Sequence, residues 1–152
     1  MKKYCLLSST GIGRTKLTSF DNALLNSNIA NYNLVKVSSI LPARAKRAEL
    51  VDIEEGSILH TAYASLTTSK DNERIAATVA VGIPEDPQKV GVIMEYSDYC
   101  SKELAEERIR AMVKEAMDSR GYSISKILCA SADAVGNVSE FVTVFAALAM
   151  WD

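Results

Sequence analysis

The sequence predicts an α+β fold: an αββα-type sandwich of mainly antiparallel sheets with helices on the outer faces. Three observations point there. Runs rich in β-branched and small residues follow one another, separated by Gly, Pro or short polar turns. Only two stretches carry a helical pattern, one short and one long. Most connections are too short for the crossover helix that a parallel sheet needs, which argues for antiparallel pairing and for helices gathered outside the sheets.

Tyr4 to Ser8 reads as a strand, broken by Thr10-Gly11-Ile12-Gly13. Thr18 and Ser19 are candidate N-caps for a short helix from Phe20 to Leu25, with Asp21 in its first turn where the helix dipole favours negative charge. Asn26-Ser27-Asn28 ends that helix, and Asn31-Tyr32-Asn33 is rich in turn formers. Leu34 to Leu41 reads as one strand stopped by Pro42, and the charged stretch from Ala43 to Ile53 as a surface connection. Ile58–Thr67, Ile75–Ile83 and Val90–Tyr96 follow as strands, with Asp71-Asn72-Glu73 as a hairpin turn. Ser101 to Arg120 is the clearest helix. Ser101 caps it and Glu103 sits in its first turn. Ala105, Ile109, Met112 and Ala116 follow one face beside Val113 and Met117. Glu106 and Arg110 make an i,i+4 pair, and Gly121 occupies the C′ place. Ile124–Ala130 and Phe141–Met150 close the chain as strands.

The chain has 152 residues, enough for a single domain with its own core. Hydrophobic residues make up 48% and charged residues 24%, which excludes disordered and collagen-like classes. A net charge of −2 without a basic stripe argues against a nucleic-acid partner. The three cysteines, Cys5, Cys100 and Cys129, are widely spaced, and the single histidine, His60, cannot complete a zinc set, so no metal site is expected. The apolar run after Met1-Lys2-Lys3 is too short for a signal peptide, and no run approaches a membrane span. The expectation is a cytoplasmic protein with free thiols and no membrane contact.

Several motifs fail on inspection. Gly11-Ile12-Gly13-Arg14-Thr15-Lys16 lacks the third glycine of a dinucleotide loop and the Gly-Lys pair of a Walker loop. His60 has no partners that would identify a catalytic triad. The acidic pairs Glu54-Glu55 and Glu106-Glu107 sit in charged surroundings and read as solvated surface.

Three features remain. Ser38-Ser39 ends an apolar strand just before Ile40-Leu41-Pro42. Glu95 ends the apolar run Val90-Gly91-Val92-Ile93-Met94, where a buried carboxyl would have a raised pKa. Phe20-Asp21-Asn22-Ala23-Leu24-Leu25-Asn26 is a dense helical block. Read on without a gap from Phe20 to Pro42, this segment resembles the signature block of pyruvoyl-dependent arginine decarboxylases. Gly91-Val92-Ile93-Met94-Glu95-Tyr96 with Cys100-Ser101-Lys102, and Phe145-Ala146-Ala147-Leu148-Ala149-Met150-Trp151, resemble the same family. The likeness covers essentially the whole chain and is weakest from Ala43 to Gly56.

That resemblance implies a precursor that cuts itself between Ser38 and Ser39, leaving a small chain 1–38 and a large chain 39–152. Ser39 Oγ attacks the Ser38 carbonyl, the peptide shifts to an ester, β-elimination breaks the chain, and hydrolysis leaves a pyruvoyl group in place of Ser39 with release of ammonia. Decarboxylation needs an electron sink that no ordinary side chain supplies, and the pyruvoyl carbonyl would be that cofactor. By the same resemblance Asn33 assists cleavage as an amide donor to the oxyanion. Glu95 donates the proton to the carbon that loses CO₂. Asp21 binds the substrate guanidinium, and Leu17, Leu24 and Ile40 wall its aliphatic stem. The implied activity is a carboxy-lyase converting L-arginine to agmatine and CO₂, in a homotrimer with sites between subunits. Agmatine could feed polyamine synthesis or acid resistance. The same chemistry on another amino acid, a non-catalytic oligomeric relative and an unprocessed small-ligand binder are the alternatives.

Overall fold

Alternation of apolar side chains on both sides of long strands organises the chain. The computed structural model covers residues 1–152. In order its elements are β1 (Lys3–Gly13), α1 (Lys16–Asn26), β2 (Asn33–Lys36), β3 (Ile40–Leu41), β4 (Lys46–Arg47), β5 (Ile58–Thr68), β6 (Arg74–Pro84), β7 (Gly91–Asp98), α2 (Lys102–Asp118), β8 (Ile124–Val135) and β9 (Phe141–Trp151). One sheet has the order β2-β5-β9-β1-β4 and the other β3-β7-β6-β8. The long ladders are antiparallel, and only the short pairs β1–β4 and β2–β5 run parallel.

β9 shows how the layers arise. Val144, Ala146, Leu148 and Met150 point into a core shared with Ile75, Ala77, Val79 and Val81 of β6. Phe145, Ala147, Ala149 and Trp151 point the other way, into a core shared with Ala23, Leu24 and Ile29. On the far side of the second sheet, Ala80 and Val92 meet Ile109, Val113 and Met117 of α2. The layers are therefore helix, sheet, sheet, helix, as the sequence predicts. Burial of Ile109, Val113 and Met117 contributes about 1.5–3 kcal/mol each. The Ser101 cap, whose hydroxyl accepts from the Leu104 N–H at 3.3 Å, is worth about 1 kcal/mol. Packing, not capping, holds α2 in place. No helix is long and apolar enough to cross a membrane.

Several local expectations are corrected. Thr10–Gly13 does not break β1. Gly11 and Gly13 instead let α1 lie against the strand, because a Cβ on Gly11 would stand 2.2 Å from the Ala23 nitrogen and 2.3 Å from the Ser19 oxygen. α1 begins one turn earlier than expected, capped by Thr15. Thr15 Oγ1 accepts from the Thr18 N–H and Thr18 Oγ1 from the Thr15 N–H, both at 3.1 Å, which closes a capping box. Ser19 is no cap but a buried hydroxyl 2.7 Å from Thr143 Oγ1, and Asp21 falls beyond the first turn. Asn28, at φ 60°, ends the helix: the Ile29 and Asn28 N–H groups donate back to the Leu24 and Leu25 carbonyls, a Schellman closure with Ile29 buried behind it. Gly121, at φ 64°, closes α2 the same way, with Tyr122 and Gly121 donating to Met117 and Asp118.

The stretch from Leu34 to Leu41 is not one strand but β2 and β3, in different sheets. The charged connection after Ala43 contains β4 and a clasp in which Trp151 Nε1 and Lys3 Nζ donate to the Asp52 carboxylate at 2.5 and 2.6 Å. Asp71-Asn72-Glu73 turns the chain, but β5 and β6 belong to different sheets, so it makes no hairpin. Of the strands adjacent in sequence only β6 and β7 pair; the other antiparallel ladders join distant segments. The buried row of α2 is Ala105, Ile109, Val113 and Met117, with Met112 and Ala116 at its margin. Glu106 and Arg110 form no ion pair, and Arg110 reaches the Ile127 carbonyl instead. An exposed pair is worth too little to hold two long side chains together.

Gly11→Ala should lower the unfolding free energy by about 1–3 kcal/mol, because neither strand nor helix backbone can yield without opening the packing. Urea denaturation measures it, and an unchanged midpoint would show that α1 can shift freely.

Candidate active site

The seam between the two sheets places the serine pair. β2 pairs with β5 as far as Lys36, and the Val37 N–H donates to the Thr61 carbonyl at 3.2 Å. Three residues later Ile40 pairs with Val92 of β7 in the other sheet. Val37, Ser38 and Ser39 are the crossing. The Ser39 carbonyl accepts from the Ile93 N–H at 2.8 Å, so the crossing is tied to β7 on its far side. The Ser38 carbonyl accepts from the Ile40 N–H at 3.1 Å, a bond across a single residue. That donor draws electron density from the Ser38 carbonyl. Ser38 is exposed and Ser39 half-buried.

Glu95 stands on β7 opposite Val79, two residues from Ile93 and on the same face. Its Oε2 is buried and has no hydrogen-bond partner. Its Oε1 is 4.0 Å from Lys36 Nζ. Burial pushes the Glu95 carboxyl above the usual glutamate range, and the Lys36 ammonium pulls part of the way back. A carboxyl that keeps its proton to higher pH, with one oxygen free, is suited to deliver that proton.

A second cluster lies on the other side of the five-stranded sheet. Leu17, Asp21 and Leu24 of α1, Asn33 and Leu34 of β2, and Tyr63 of β5 line a groove of about 590 Å³. Phe145 backs it, packed edge-on against Phe20 at 5.8 Å and tilted against Tyr63 at 5.5 Å. Asp21 is exposed at this groove and enters no ion pair within the chain. Asn33 opens β2, where its Nδ2 donates to the Gly56 carbonyl at 2.6 Å. The length of β2 alone sets it about 10 Å from Lys36, away from its own Ser39.

The chain thus gathers Leu17, Asp21, Leu24 and Asn33 at the groove, and Ser38, Ser39, Ile40 and Glu95 at the seam. Ile40 lines the seam and not the groove. Lys36 stands between the clusters, against Tyr63 of the groove, and neither residue was singled out by the sequence. The available signal was a single charge inside the apolar run Leu34-Val35-Lys36-Val37.

The Glu95 environment has a consequence for stability. The folded chain binds the carboxyl proton more tightly than the unfolded chain does. Stability from this group is complete below the ordinary glutamate range and is lost as pH rises through the raised value. Glu95→Gln should therefore melt higher than the parent at neutral and alkaline pH and match it in acid. A melting series across pH checks this; a lower melting point at neutral pH would mean the carboxylate is stabilising.

A family model described as pyruvoyl-dependent arginine decarboxylase matches residues 3–152. A pyruvoyl-dependent arginine decarboxylase of Methanococcus aeolicus is 38% identical over 146 residues, 96% of this chain and 87% of the relative. That of Thermococcus kodakarensis is 42% identical over 133 residues, 87% of this chain and 84% of the relative. That of Methanocaldococcus jannaschii is 36% identical over 146 residues, with coverage of 96% and 87%. With a match from Lys3 to the last residue and relatives aligned over most of both lengths, the chain belongs to the pyruvoyl-dependent arginine decarboxylase family.

Proposed function

We propose that this chain cuts itself between Ser38 and Ser39, converts Ser39 into a pyruvoyl group, and decarboxylates L-arginine to agmatine and CO₂. The observation that carries the reading is the serine pair at the sheet-to-sheet crossing, on the strand edge that also holds a buried, unpartnered Glu95 carboxyl. In the first stage Ser39 Oγ adds to the Ser38 carbonyl carbon while the Ile40 N–H steadies the developing oxyanion. The C–N bond breaks, an ester forms, and loss of a proton from the Ser39 α-carbon expels the Ser38 carboxylate. Tautomerisation and hydrolysis then release ammonia.

The residues present fit such a group: Ser39 is held by its carbonyl to β7, and Glu95 supplies a free carboxyl oxygen on the same strand. The pyruvoyl carbonyl supplies the electron sink for the departing CO₂. The chain's own groups do the rest. Glu95 holds a proton for the carbon that loses CO₂. Asp21 accepts the guanidinium in a bidentate pair, and Leu17 and Leu24 cover the aliphatic stem while Ile40 flanks the seam.

Groove and seam lie apart in one protomer, with Asn33 at the groove end. This supports a homotrimer in which the groove of one protomer, with its Asp21 and Asn33, faces the seam of the next. We place the enzyme in the cytoplasm, in keeping with its three free cysteines, and assign it no nucleic-acid partner.

Intact mass under denaturing conditions tests the first stage. The uncut chain is 16.5 kDa. Cutting after Ser38 gives pieces of about 4 and about 12 kDa, in proportion to residue number. The larger piece should be about 17 Da lighter than a serine-started chain, since a ketone replaces an amine and the hydroxyl is gone. Ser39→Ala should remain a single uncut, inactive chain, and efficient cleavage of that variant would overturn the assignment. Asp21→Asn removes about 1.5–3 kcal/mol of charged hydrogen bonding, so KM for arginine should rise roughly 10–100-fold with cleavage intact. Steady-state assays with arginine, ornithine and lysine check this; an unchanged preference would exclude Asp21 as the guanidinium partner.

A further inference from the structure

Lys36 is the one charged side chain that reaches both clusters. It ends β2, three residues before Ser39. Its Nζ stands 4.7 Å from the centroid of the Tyr63 ring, which lines the groove, and 4.0 Å from Glu95 Oε1. Within the chain, Lys36 is the one charge that acts on Glu95. β6 sets Val79 opposite it, and β5 turns Ala62 and Ala64 into the layer that Ile93 shares. Lys36 is 54% exposed and Glu95 23%, so the pair adds little to folding stability. At 4.0 Å it is also too long for a hydrogen bond. What remains is a directed field: a positive charge braced on an aromatic face, on the Oε1 side of a carboxyl whose Oε2 is unpartnered.

We propose that Lys36 is a positioning residue for the decarboxylation, an inference that rests on Glu95 being the acid. The ammonium holds Oε1 toward β2, leaves Oε2 to carry the proton, and stabilises the carboxylate left after delivery. In that step the Oε2–H bond breaks and a C–H bond forms at the carbon that lost CO₂. Lys36 keeps its own protons, and Glu95 regains one from water. Tyr63 fixes the ammonium against β5, so the charge keeps its place beside the acid at the seam.

The test uses cleaved, pyruvoyl-bearing protein, verified by intact mass, in Lys36→Gln, Lys36→Arg and Glu95→Gln forms. Lys36→Gln should lower kcat about tenfold with KM within about twofold, as expected when only a proton-transfer step is weakened. Its alkaline limb of kcat against pH should move upward, since the opposing charge is gone. Lys36→Arg keeps a charge that stacks on the ring and should restore both rate and profile. An unmoved limb in Lys36→Gln, or identical behaviour of the Gln and Arg forms, would overturn the proposal. A limb that survives in Glu95→Gln would show instead that Glu95 is not the acid. If Lys36→Gln stays uncut, NMR titration of the Glu95 carboxyl in the Ser39→Ala chain, with and without Lys36→Gln, gives the same answer: an upward shift supports the role and an unmoved carboxyl refutes it.

Discussion

Everything in this fold follows from one strand that has no outside. β9 carries apolar side chains on both faces along most of its length, and nearly all of them are fully buried. A strand like that must be covered twice. One cover is α1, which reaches it only because Gly11 and Gly13 of the neighbouring strand have no side chains to hold the helix away. The other is the second sheet, whose β6 offers Ile75, Ala77, Val79 and Val81 at the matching period. α2 then has to cover the outer face of β6. The four layers are successive answers to a single burial requirement.

The proposed chemistry lies where that layering is interrupted. Two stacked sheets leave an edge at which the chain can pass from one to the other. At that edge backbone groups lose their ladder partners and take irregular ones, such as the Ile40 N–H on the Ser38 carbonyl. The same edge is shielded enough to starve Glu95 Oε2 of partners, yet open enough for Lys36 to approach from β2. A fully enclosed carboxyl would simply stay neutral, and a fully exposed one would give up its proton. The half-enclosed position allows both forms, which is the condition for passing a proton on and taking it back.

Much of this was legible in the residues. Element types, the layer order and the Ser101 and Gly121 helix signals came from periodicity and capping chemistry. Leu17, Asp21 and Leu24 recur at i, i+4 and i+7, so one helical face carries the groove wall. The failures share a cause. Gly11 and Gly13 look like a break because their purpose lies in Ala23 and Ser19, which only tertiary packing brings near. Thr15 is hidden as a cap behind the apparent loop. Leu34 to Leu41 reads as one strand because both halves are apolar, and nothing local marks the change of sheet. Lys36 matters only through Glu95 and Tyr63, which lie far along the chain, and no window of sequence contains all three.

The strand order has a further meaning for a chain severed at Ser38–Ser39. The segment before the cut would hold β1, α1 and β2. β1 lies between β9 and β4, and β2 flanks β5, so neither of its strands pairs with the other. Every sheet partner of the short piece belongs to the long one, eleven residue pairs along β1 and β9 alone. Such a piece has no fold of its own to return to. Scission would therefore create two polypeptides without creating two bodies, and the new ends would open at the one place where the sheets exchange the chain.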